Sequence, residues 1–220
     1  MNTKRIRIAL VTLVFISLAW HFDLGNDYDG RMAPLHKIER TFKKTKERKK
    51  MQELIKNIEQ WAEDRNLIEG STPQKQMLKL MEEFGELCSG VVKNKPEVIK
   101  DSIGDCFVVL VILNAQYRRK SVNPENDFNQ NMLIPNYLYK SKHIDDAMMI
   151  AISHFSACYK GGWLPMDWDI HNSVEALQNI ANLNYIDIRE CVQHAYNQIK
   201  DRKGKMIDGI WVKEEDLKNE

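Results

Sequence analysis

This 220-residue sequence has no glycine-rich phosphate loop, no C-x-x-C pair, no strand-rich region and no internal repeat. Each absence removes a class. Without a Gly-rich turn opening a helix, the P-loop and dinucleotide-binding folds are excluded. The four cysteines, Cys88, Cys106, Cys158 and Cys191, lie far apart. A zinc site brings its ligands in close pairs, so they read as buried or semi-buried thiols of a reducing compartment. Only six prolines and ten glycines punctuate the chain, leaving long stretches free to be helical. The longest apolar run, Ile8 to Trp20, has thirteen residues, against the roughly twenty needed to span a bilayer.

A strong excess of one charge is also lacking, but the net +1 conceals an asymmetry. Residues 1–50 hold twelve Lys or Arg against five Asp or Glu, whereas residues 51–220 hold twenty against twenty-six. A basic head precedes an acidic body. An acidic body without a basic stripe argues against duplex nucleic acid as a partner. The head admits three readings: an export signal or anchor, an amphipathic lead-in, or upstream sequence attached to a body that begins at Met51. Its basic run "KIERTFKKTKERKK" suits a solvated linker or a helix extension. Membrane contact follows only if residues 1–22 are an anchor, and the cytoplasm is otherwise the expected compartment.

From Met51 onward the periodicity predicts an all-α body, 51–220. Leu54, Ile55, Ile58, Trp61 and Ala62 fall at helical spacing. Gly70 to Pro73 ends that helix, and Ser71 or Thr72 with Pro73 starts a second over Pro73–Val92. Its inward face is Met77, Leu80, Met81, Phe84, Leu87, Cys88 and Val91. A tight Asn94-Lys95-Pro96 connection leads to a third, deeply buried helix, Glu97 to Arg119. Residues 121–140 read as an irregular insertion. Helical patterns resume at Ile144–Tyr159 and Ile170–Lys200, and "MIDGIWV" near the end suits a short hairpin.

The stretch "KLMEEFGELCSG" crowds Glu82, Glu83 and Glu86 onto one flank of the second helix. Residues three or four apart share a face and like charges there repel, which a cation would reverse. Asp101 and Asp105 are four apart on the third helix. A short turn makes the two helices antiparallel, so the acidic pairs face each other. Converging carboxylate oxygens suit a hard cation, Mg²⁺ or Mn²⁺. The alternative is a solvated acidic flank.

"EEFGEL" followed by "DSIGDCFVVLVIL" resembles the MazG-like, all-α nucleoside triphosphate pyrophosphohydrolases. Their signature is E-x-x-E, a spacer, then E-x-x-D, and it chelates magnesium. Glu83 and Glu86 match the first pair and Asp105 the final aspartate. The tail "RKGKMIDGIWVKEEDL" is similar to the ends of many phage-encoded members. Ser102 stands where the family has its second-motif Glu, and Asp101, one residue earlier, is the substitute.

The resemblance implies magnesium-dependent hydrolysis of a nucleoside or deoxynucleoside triphosphate to the monophosphate and pyrophosphate. Glu83, Glu86, Asp101 and Asp105 would hold the metal, and Glu82 would add a ligand or orient water. Substrate contacts would come from Lys79, Asn114, Arg202, Lys203 and Lys205. Each has a plainer reading: Lys79 pairing with Glu82 or Glu83, Asn114 in a structural hydrogen bond, and the basic trio as a cationic helix end. Trp61 suits either base stacking or the core. His143, Asp145, Asp146 and His154 lack the adjacent His-Asp pair of another phosphohydrolase type. The resemblance also implies a homodimer or larger assembly, for which "DDAMMIAISHF" offers apolar surface. The competing function is a nucleotide-binding or interaction module of the same fold that has lost turnover through the change at Ser102.

Overall fold

The computed structural model describes residues 33–136, 141–161, 164–214 and 217. The chain divides into two compact units, Met1–Lys43 and Lys44–Glu220. The first is described only from Ala33, where α1 (Ala33–Asp64) starts, so the basic run is helical and the helix expected from Met51 begins earlier. The apolar segment Ile8–Trp20 lies outside the described residues. No helix among the described residues is long and apolar enough to cross a membrane.

The second unit is an all-α bundle with a small C-terminal hairpin. Its helices are the end of α1, α2 (Pro73–Val92), α3 (Pro96–Lys120), α4 (Ile144–Ala157), α5 (Asp167–Leu183) and α6 (Ile188–Ile199). Thr72 caps α2 by accepting from the Lys75 amide at 3.3 Å, and Pro73 supplies a preset first turn. Leu80, Phe84 and Leu87 face the core. Met81, expected inward, is 41% exposed.

The turn to α3 closes at Asn94, in the left-handed region at φ 49°, and the Lys95 amide returns to the Gly90 carbonyl at 2.9 Å. This short link makes α2 and α3 antiparallel neighbours. α3 is buried almost throughout because α2, α5 and α6 pack on different sides of it. At Gly104 a side chain would meet the Cys191 carbonyl and lie 2.8 Å from the Ala195 methyl. The missing Cβ is what lets α6 lie against the first turns of α3.

The single pattern expected over Ile170–Lys200 is two helices. Tyr185 turns left-handed at φ 59°, and Asp187 accepts from the Arg189 amide at 2.9 Å to start α6. The described part of the 121–140 insertion is turns and one 3₁₀ helix, Gln130–Leu133. Backbone groups tie it down: Phe128 O accepts from Asn114 at 2.7 Å, and Met132 O lies 2.9 Å from the His171 ring nitrogen. The tail forms the hairpin β1 (Gly204–Ile207) and β2 (Ile210–Lys213). Its two-residue turn, Asp208-Gly209, is left-handed at both positions (φ 49° and 76°), the geometry that suits the twist of paired strands.

Candidate metal centre

The α2–α3 hairpin brings carboxylates from both helices together. Glu83, on the α2 face that meets α3, is only 6% exposed. A buried carboxylate needs a counter-charge, and Lys79, one turn earlier, supplies it. Its Nζ is 2.6 Å from Glu83 Oε1 and 2.9 Å from Glu82 Oε2. Burial alone would depress the Lys79 ammonium, but its hydrogen bonds to Glu83 and Glu82 outweigh this and hold its pKa above the ordinary value.

Across the hairpin, the Asp105 carboxyl is pushed up to about 7, first by burial and then by the Glu83 and Asp101 carboxylates. Arg202 and Lys79 offset part of that rise. The Cys106 thiol is raised further, by burial and then by Glu83, Asp105, Cys88 and Glu86. Four of the sequence-predicted residues, Glu83, Asp101, Arg202 and Lys79, therefore act on a fifth, Asp105. Glu82 and Glu86 lie on the exposed rim of α2.

Asp101 is engaged from α6, by two residues not expected at the site. Gln198 Nε2 donates to Asp101 Oδ1 at 2.9 Å, and His194 Nε2 lies 3.4 Å from the same oxygen. Their i, i+4 spacing was the readable clue, since it places both on one face of a helix. Ser102 turns the other way. It is 1% exposed, and its Oγ has no hydrogen-bond partner among the described residues. The position that carries a glutamate in the resembled family thus points into the core, and Asp101 is the carboxylate on the cluster's side.

Other expected residues sit elsewhere. Asn114 is fully buried and donates to Phe128 O, which makes it an anchor for the insertion, the plainer of its two expected roles. Trp61 donates to Ile199 O at 2.9 Å and carries the Arg65 guanidinium over its ring. Lys203 and Lys205 are exposed around the start of the hairpin, whereas Arg202 is half-buried and faces the cluster. His154 lies on α4, its pKa lowered by burial. All four cysteines are free, with Cys88 half-buried and the others buried.

Among the described residues, no three His, Cys, Asp or Glu side chains stand close enough to hold a metal ion. Two observations bear on the fit. The donors are all carboxylate oxygens, the type a hard cation takes. Their crowding raises Asp105, and a cation would relieve it. The donor type is that of a hard cation, but the side chains do not stand together as a metal site, with Lys79 on Glu83 and with His194 and Gln198 at Asp101. A cleft of about 830 Å³ opens between α1, the start of α3 and α6, lined by residues of both charges, among them Glu53, Lys100, Asp187, Arg189 and His194, and by none of the cluster carboxylates.

A stretch of 72 residues is 79% identical to an uncharacterized 18.2 kDa protein from the rep-hol intergenic region of Haemophilus phage HP1 (strain HP1c1). The likeness is to a phage protein. It covers 33% of this chain and 44% of that relative, so the chain spans less than half of the relative's length. No family model matches the chain, and no solved structure matches it.

Asp105 gives this site a pH signature. Its carboxyl keeps a proton up to about pH 7 in the fold, but only to about pH 4 in the unfolded chain. The folded state binds more protons between those values, so this group's contribution is fullest below about pH 4 and is lost as pH rises to about 7. In thermal melts without divalent cations, Asp105→Asn should melt above wild type at pH 8, with the gap shrinking toward pH 5. A variant that melts lower at pH 8 would contradict this electrostatic description.

Proposed function

We propose that the chain is a magnesium-dependent pyrophosphohydrolase of the MazG-like type, splitting a nucleoside or deoxynucleoside triphosphate into monophosphate and pyrophosphate. The observation that carries this reading is the buried Glu83 carboxylate set against Asp105 and Asp101 across an antiparallel helix pair. Glu83, Glu86, Asp105 and Asp101 would hold Mg²⁺ or Mn²⁺. When bound, the cation supplies charge neutralisation for phosphoryl oxygens and promotes ionisation of water. Glu82, exposed at the rim, orients the water that attacks the α-phosphorus. Arg202, half-buried on the cluster's side, takes a phosphate, since a guanidinium fork matches its oxygens. Lys203 and Lys205 add positive charge at the entrance. The unpaired thiols suit a cytoplasmic, reducing setting, and the phage relative suits a phage-encoded member.

The inward turn of Ser102 favours a second reading. With that position unable to offer a carboxylate, the same fold would bind nucleotide without turnover.

A second copy of the chain belongs to the leading reading. Phe84 of α2 and Phe155 of α4 meet edge to face at 5.1 Å. One turn before each lie the exposed Met81 and Ile152, and Leu78 is 72% exposed. These exposed apolar side chains are candidates for pairing. Light scattering is expected to give a dimer or larger assembly. A monomer with full activity would rule the pairing out.

Pyrophosphate release from a panel of triphosphates separates the two functions. Magnesium-dependent release is expected, and Asp105→Asn should lower it by roughly a hundredfold or more while the helical signal is kept. Tight nucleotide binding without product would instead identify the module.

A further inference from the structure

We infer that the basic stretch of α1 is a docking surface for an anionic lipid bilayer, holding the bundle at a membrane surface without spanning it. The inference is independent of the activity proposed above. Lys44, Lys46, Arg48 and Lys49 are all exposed on α1. Among the described residues, none of the four forms an ion pair. Glu47, the one acid among residues 43–50, is taken up by Arg189 of α6 and lies 3.9 Å from Lys50. Lys44 and Arg48 are four apart, and Lys46 and Lys49 are three apart, so like charges share helix faces and repel. The stretch is helical all the same because α1 continues into the core, where Met51, Leu54, Ile55 and Ile58 are buried. The packed part of the helix thus holds four unneutralised cations in solvent. A negative surface would relieve their repulsion.

Two features of the chain favour a bilayer over a nucleic acid as the anionic partner. Upstream of the basic stretch lies the apolar run Ile8–Trp20, with Lys4, Arg5 and Arg7 before it. Its thirteen residues are too few to cross a bilayer but suit an interfacial segment, for which a nucleic acid has no use. A short apolar segment gives only marginal attachment by itself. A polybasic patch in the same chain supplies the second contribution that makes attachment stable. The body is the other feature, with twenty Lys or Arg against twenty-six Asp or Glu over residues 51–220. An anionic surface repels it, so contact is confined to the basic end.

The test is sedimentation of the full chain with vesicles of phosphatidylcholine, alone or mixed with phosphatidylglycerol, beside binding to duplex DNA. Wild type is expected to bind the mixed vesicles about tenfold more tightly or better than the neutral ones, and to be released as salt is raised. Combining Lys44→Gln, Lys46→Gln, Arg48→Gln and Lys49→Gln should lower affinity for mixed vesicles on the order of a hundredfold. Glutamine has nearly the helix preference of lysine, so the helical signal should persist. The same change at Lys93, Lys95, Lys120 and Lys142, all exposed on the body, should alter affinity by less than about threefold. Leu13→Asp should weaken binding to both kinds of vesicle. Binding to neither vesicle, equal binding to both, or binding that salt does not reverse overturns the inference. So does an α1 variant that binds like wild type, a body control that falls as far, or duplex DNA bound in preference to mixed vesicles. Should the α1 variant lose its helical signal, the lipid preference and salt response of wild type decide the outcome.

Discussion

The burial of carboxylates on both helices of the α2–α3 hairpin, where the Glu83 charge acts on a partly buried Asp105, is the constraint on which the rest of the site depends. Asp105, partly out of water and under the Glu83 and Asp101 charges, does not ionise freely. The chain answers with Lys79 on Glu83 and a retained proton on Asp105. A rise from 3.8 to about 7 corresponds to an electrostatic cost on the order of a few kcal/mol whenever Asp105 is ionised. Set against the roughly 5–15 kcal/mol that stabilises a typical domain, this is substantial. Apolar residues at these positions would be more stable, and that cost is what motivates the proposal of a ligand role for the cluster.

The surrounding packing holds that cluster from two further sides. Gly104 admits α6 to the start of α3, and the closeness lets His194 and Gln198 reach Asp101. Arg65 draws in the tail. It donates to Lys200 O at 3.1 Å and Arg202 O at 2.8 Å, with its guanidinium between the Trp61 and Trp211 rings. Arg202 is thereby fixed where its charge acts on Asp105. The tail's basic residues therefore play unequal parts. One is part of the cluster, and its neighbours are solvent-exposed on the hairpin.

Much of this is legible in the sequence. Proline and cap positions mark the ends of α2 and the stretch "MIDGIWV" marks the hairpin, although of the three α2 glutamates only Glu83 turns inward. Local chemistry decides those features. What stayed hidden depends on packing at long range. The α5–α6 break turns on a left-handed Tyr185, a residue with no preference for that conformation. Met81 lies outside the buried stripe because α2 packs through a narrower face than its apolar pattern suggests. The direction of Ser102, the burial of Asn114 beneath the insertion and the approach of His194 all require knowing where α5 and α6 dock.

The central claim is that these carboxylates form one divalent-cation site. The most direct test is Mn²⁺ binding followed by electron paramagnetic resonance, which counts free ion and so needs no substrate. The account predicts saturable binding to wild type, abolished or greatly weakened in both Glu83→Gln and Asp105→Asn, with Lys203→Met unaffected. Absence of saturable binding to wild type, or equal binding in the carboxylate variants, would contradict it.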